Sequence, residues 1–157
     1  MIRRTYGTYR MALVAAAAVT AAGVWSLAPA RAADAPNPEG VKLFEAKIRP
    51  ILAQNCVGCH GPEKQKGGLR LDTYDNMIKG GKDDNDKPMK VVEPGNPDKS
   101  PMIEAVEYKN EDMQMPPPKK KESRKLPDDQ IQSLKDWVKL GAPYGEKPVE
   151  APPKAEK

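Results

Sequence analysis

The chain has 157 residues, with 26 lysines and arginines against 22 aspartates and glutamates, a formal charge of +4 and 38% apolar side chains. Arg3, Arg4, Arg10 and Arg31 supply the whole excess, so from residue 33 onward the balance is 22 to 22. That neutrality excludes a charge-driven nucleic-acid or anionic-lipid binder.

The first element is a basic stretch carrying Arg3, Arg4 and Arg10, followed by 18 uncharged, alanine-rich residues from Met11 to Ala28 and then Ala30-Arg31-Ala32. This order predicts a secretory signal peptide over residues 1–32, cleaved after Ala32, with Ala30 or Ala33 as near alternatives. An uncleaved membrane anchor competes, because the uncharged run approaches spanning length. Alanine content and the small-residue exit favour cleavage, and hence a periplasmic protein. Residues 33–40, Ala-Asp-Ala-Pro-Asn-Pro-Glu-Gly, read as a flexible leader.

A helix is expected from near Val41. Phe44, Ile48, Ile51 and Leu52 fall on one face of it. Pro50 should kink this helix or restart it as a second short turn. It feeds directly into Cys56-Val57-Gly58-Cys59-His60, which contains every cysteine and the only histidine of the chain. Cys-x-x-Cys-His is the attachment pattern for c-type haem. In that pattern each thiol adds across a vinyl group, and the imidazole donates to iron from one face. None of these residue types is left over for another task.

Beyond this point Gly67-Gly68-Leu69-Arg70-Leu71 reads as extended. Asp72 or Thr73 can cap a short helix through Tyr74, Met77 and Ile78 that stops at Gly80-Gly81. Lys82 to Lys99 reads as polar loop. Ser100-Pro101 opens a helix over Met102 to Tyr108. The last helix runs from about Asp128 to Leu140, with Ile131, Leu134, Trp137 and Val138 as its apolar face and Gly141 beyond its end. Residues 145–157, rich in Pro, Lys and Glu, should not fold alone. The expected fold is therefore all-α with long loops: one domain over 41–144, a monomer, without the strand alternation of a thioredoxin-like sheet.

Only 39 of the 125 residues from Ala33 onward are apolar, with Phe44 and Trp137 the sole phenylalanine and tryptophan. This is thin for a self-sufficient core. A buried porphyrin would supply the missing apolar surface.

With no second histidine, a six-coordinate iron needs Met, Lys or a chain terminus. Met77 and Met102 sit at apolar helix positions and read as packing residues, and Met89 lies in the polar loop. Met113-Gln114-Met115-Pro116-Pro117-Pro118 is different, since prolines limit the conformations of a loop that must cross a haem face. Met115 is the first candidate and Met113 the next.

Seven stretches stand in order along the chain: Phe44–Leu52, Cys56–Pro62, Gly67–Asp72, Gly80–Lys82, Val92–Gly95, Met115–Pro117 and Asp129–Val138. With them the chain resembles the planctomycete-type cytochrome c domain, a branch of the class I c-type cytochromes, from about Val41 to Tyr144. The resemblance implies one covalent haem c, thioether links at Cys56 and Cys59, His60 as proximal ligand and Met115 as distal ligand. It also implies contact between the first and last helices. The function implied is single-electron transfer between redox partner proteins by Fe(III)/Fe(II) cycling, without enzymatic turnover.

Competing readings are a haem sensor for a diatomic gas, an electron-transfer subunit of a larger periplasmic dehydrogenase, and a thiol-disulfide oxidoreductase using Cys56 and Cys59. The run Lys119, Lys120, Lys121, Arg124 and Lys125 could steer an acidic partner, but a solvated loop explains it more simply. Asp83-Asp84-Asn85-Asp86 lacks the spacing of a calcium loop. Tyr74, Tyr108 and Tyr144 are too dispersed for a nucleic-acid stacking surface.

Overall fold

The computed structural model describes residues 37–119 and 122–153. The expected signal peptide, most of the expected leader, Lys120 and Lys121 of the basic run, and residues 154–157 lie outside the described residues. Helix α1 (Pro38–Leu43) starts three residues before the expected Val41. The Asn37 side chain accepts from the N–H of Glu39 at 3.1 Å and of Gly40, while Pro38 occupies a first-turn position where its missing N–H costs nothing. The end of the expected leader is thus the cap of the first helix. The helix then widens into one π turn, Phe44–Ile48, and continues as α2 (Arg49–Asn55). Pro50 stands in the first turn of α2, so the restart expected there takes the form of a π-to-α transition.

The anticipated apolar faces meet. Phe44, Ile48, Ile51 and Leu52 are buried together with Ile131, Leu134, Trp137 and Val138 of α5 (Asp128–Lys139). The Phe44 ring centroid lies 5.9 Å from Trp137 and 4.1 Å from Tyr144. The Trp137 indole N–H donates to the Pro143 carbonyl at 2.6 Å, so the largest core side chain leaves no orphaned donor. Gly40 permits α1 to approach the end of α5. A Cβ there would stand 2.4 Å from Cγ of Pro143. Lys135 of α5 reaches Glu107 of α4 (Pro101–Glu107) at 3.1 Å.

Between these helices the chain is more ordered than its composition suggests. Thr73 caps α3 (Tyr74–Lys79) by accepting from the Asn76 N–H. The supposed polar loop 82–99 contains part of a small antiparallel hairpin, β1 (Gly81–Lys82) with β2 (Pro88–Met89), Gly81 opposite Met89. Asp83 organises the connection by accepting from the N–H groups of Asn85 and Lys87, both at 2.9 Å. Lys66–Gly68 forms a 3₁₀ turn where extended chain was expected, with Gly67 and Gly68 both at positive φ. Ser100 precedes α4 as expected, but its hydroxyl does not cap the helix. Buried, it accepts from the Glu93 N–H and donates to the Asn96 carbonyl, each at 2.9 Å.

The C-terminal stretch also departs from expectation. Val149 is only 2% exposed, and its N–H donates to the Asp72 carbonyl at 2.8 Å. The Arg49 guanidinium donates to the carbonyls of Pro148 at 2.9 Å and Lys147 at 3.0 Å. Residues 145–150 are therefore a docked strap, whose apolar anchor and backbone partners a composition-based reading misses. The regular structure of the described residues is almost all helical with little strand, which agrees with the all-α expectation. Among them no helix is long and apolar enough to cross a membrane.

Candidate functional site

The five-residue motif begins where α2 ends. Cys56 caps the helix, with its N–H on the Leu52 carbonyl at 2.9 Å. The chain then folds back on itself: the N–H groups of Cys59 and His60 both donate to the Cys56 carbonyl, at 3.0 and 2.9 Å. Val57 points into the core while Gly58 is exposed, so the turn is pinned between the two cysteines. Gly61 follows with no room for a side chain, since a Cβ would sit 2.4 Å from the Val57 carbonyl oxygen. The structure thus brings Cys56, Cys59 and His60 onto one short turn.

Both cysteines are free thiols and partly buried. Burial, with a smaller contribution from Cys59, pushes the Cys56 thiol up to about 12. Redox-active Cys-x-x-Cys motifs need the opposite, a depressed thiol pKa. This counts against the thiol-disulfide reading, as does the near absence of strand among the described residues.

His60 has a defined tautomer. Its Nδ1 lies 3.1 Å from the Lys66 carbonyl, which can only accept, so Nδ1 carries the proton and Nε2 keeps its lone pair. Desolvation lowers the imidazole pKa, which favours this neutral form. The backbone around it is tied down as well. Lys66 N–H donates to the Cys59 carbonyl at 3.2 Å, and Leu71 N–H donates to the His60 carbonyl at 2.8 Å.

Met115 is held by a different part of the chain. It follows the 3₁₀ turn Glu111–Met113, and its N–H donates to the Ala105 carbonyl of α4 at 3.0 Å. The Tyr108 hydroxyl donates to the Pro116 carbonyl, closing the loop from its other side. Tyr108 itself adopts a left-handed conformation at the end of α4, φ 61°, which turns the chain toward the methionine loop. Sequence reading missed Tyr108; an aromatic residue just after α4 and shortly before the proline run was its only signal. The Met115 side chain is 39% exposed, one of two large apolar residues so uncovered among the described residues. Met77 is fully buried, and Met89 and Met102 pack against the core, as suits filler methionines. Met113 is partly buried in its turn.

The donor set suits covalent haem better than a bare ion. Among the described residues no group of three or more His, Cys, Asp and Glu is arranged to hold a metal. Two free thiols, an imidazole and an uncovered thioether are the groups that a thioether-linked porphyrin iron requires. Of the basic run, Lys119, Arg124 and Lys125 are exposed, and Lys125 already faces Asp128 at 3.6 Å. This is the solvated-loop arrangement.

These are the groups that a c-type cytochrome would use. Residues 56–119 match the family described as Planctomycete cytochrome C, a span that takes in both the Cys56–His60 turn and Met115. No curated protein and no solved structure matches the chain. The matched span is narrower than the resemblance from Val41 to Tyr144, and α5 lies outside it.

Proposed function

We propose that the protein is an exported, periplasmic monohaem cytochrome that passes single electrons between redox partner proteins. One haem c is joined through Cys56 and Cys59, with His60 and Met115 as axial ligands. When bound, the group supplies the Fe(III)/Fe(II) couple, and thioether ligation favours the ferrous form. The chain supplies the rest. Lys66 fixes the His60 tautomer through Nδ1, Ala105 and Tyr108 hold the Met115 loop, and the core around Phe44 and Trp137 lowers the local dielectric. The observation that carries the reading is the His60 imidazole, oriented through Nδ1 by the Lys66 carbonyl, on the same turn as two free thiols.

Visible spectra of the purified protein test it. A sulfur–iron charge-transfer band near the red end is expected in the ferric form, lost in Met115→Ala and kept in Met113→Ala. The intact mass must include the tetrapyrrole after denaturation in acid and organic solvent. A pigment that extracts would sink the proposal.

The exposure of Met115 favours one second reading, a distal ligand weak enough to yield to a diatomic gas. Carbon monoxide added to the reduced protein separates the two: a firmly held Met115 resists it, and rapid, complete binding supports a sensor.

A further inference from the structure

Two contacts, one from Tyr144 and one from the strap that follows it, fall on consecutive carbonyls beside the Cys56–His60 turn. The Tyr144 hydroxyl donates to the carbonyl of Leu71 at 2.8 Å, and the Val149 N–H donates to that of Asp72, also at 2.8 Å. Leu71 in turn gives its own N–H to the carbonyl of His60 at 2.8 Å. A single relay therefore runs from a side chain near the C-terminus to the backbone of the histidine, across 73 residues of sequence for its first bond.

The relay has little slack. The Tyr144 ring packs 4.1 Å from Phe44, and its tilt toward Tyr74 places a second ring 6.5 Å away. Leu71 is 4% exposed and Asp72 is buried beside it. The Asp72 carboxylate takes the Arg70 guanidinium in two bonds, 2.9 and 2.6 Å, which fixes the backbone on the far side of Leu71. Behind the strap, Arg49 clamps the carbonyls of Lys147 and Pro148. At the other end, the imidazole plane is set by two restraints. One is the Nδ1 bond to Lys66, and the other is the position of the His60 backbone, which the Leu71 N–H holds.

We propose that Tyr144 is a positioning residue for the His60 imidazole, acting through Leu71. The proposal rests on His60 being the axial ligand. It adds that the ring orientation depends on the C-terminal strap as well as on the motif turn. A residue at the foot of the strap, outside the matched span 56–119, thereby sets a property of the site within it.

Tyr144→Phe tests this in the protein as isolated, because the variant keeps the ring against Phe44 and removes only the hydroxyl. Ile131→Val, a small core change on α5, serves as a control that lowers stability without touching the relay. In Tyr144→Phe the Leu71 amide is expected to exchange about tenfold faster relative to the Leu134 amide, one hydrogen bond having been lost from its anchor. The ferric electron paramagnetic resonance g-values, which report the imidazole plane, are expected to shift. Ile131→Val should lower the melting temperature and leave both readouts alone. If Tyr144→Phe behaves like Ile131→Val, with Leu71 and Leu134 amides accelerating together and g-values unchanged, the proposal is overturned. A preparation without covalent haem would instead overturn the functional reading, while the exchange comparison would still decide whether Tyr144 tethers Leu71.

Discussion

Single side chains do much of the positioning, and several act at a distance from the groups they serve. Tyr108 holds the Met115 loop through the Pro116 carbonyl and never meets the methionine through that bond. In Tyr108→Phe the red charge-transfer band should therefore survive at room temperature but disappear on heating well below the wild-type transition, followed by absorbance. A band as heat-resistant as the wild type's would exclude this role. Asp72 offers a pH test. The Arg70 hydrogen bond, and more weakly the Asn76 amide, hold its carboxyl below the usual range despite burial. A lowered acid contributes stability above the unfolded carboxylate pKa of about 3.9, and that contribution is lost as pH falls through the folded value. Asp72→Asn should thus melt a few degrees below wild type at pH 7, and the gap should close in acid. A gap that stays constant down to the acid transition would remove Asp72 from the account.

At the scale of elements, the helices were legible and their joints were not. The spacing of Phe44, Ile48, Ile51 and Leu52, and of Ile131, Leu134, Trp137 and Val138, named the two faces that pack together, because periodic burial writes itself into sequence. Cys56, Cys59 and His60 were equally plain, since their chemistry demands adjacency. Tyr108 and the strap were hidden because they act through backbone carbonyls, which every residue has. Ser100 illustrates the same limit: the residue type suited a cap, but the tertiary partners Glu93 and Asn96 claimed its hydroxyl. The tight joint between α1 and α5 gives a direct prediction. Gly40→Ala gains helix propensity, yet its methyl group meets Pro143, so a net loss of about 1–2 kcal/mol is expected in urea unfolding. Unchanged or increased stability would show that Pro143 yields.

For the whole molecule, the thin apolar complement is offset in two ways, by a strap that covers the core and by the group expected at Cys56 and Cys59. Removing residues 145–157 uncovers Val149's site and should cost about 2 kcal/mol, a fall in melting temperature on the order of 10 °C for a domain of this size. An unshifted melting curve would return this stretch to the status of a tail. Charge balance makes a second whole-molecule prediction. With 22 basic and 22 acidic residues from residue 33 onward, the rate of electron exchange with an acidic partner should change little as salt is raised. A steep fall would restore the basic run around Lys119 and Lys125 as a steering patch.

The Arg49 bonds to Lys147 and Pro148 span 98 and 99 positions of the chain. Contacts so remote cannot form until the whole intervening stretch of chain is present and free to fold. A haem joined to the two sulfurs before that point would meet an unlatched polypeptide, and the latch would close afterwards.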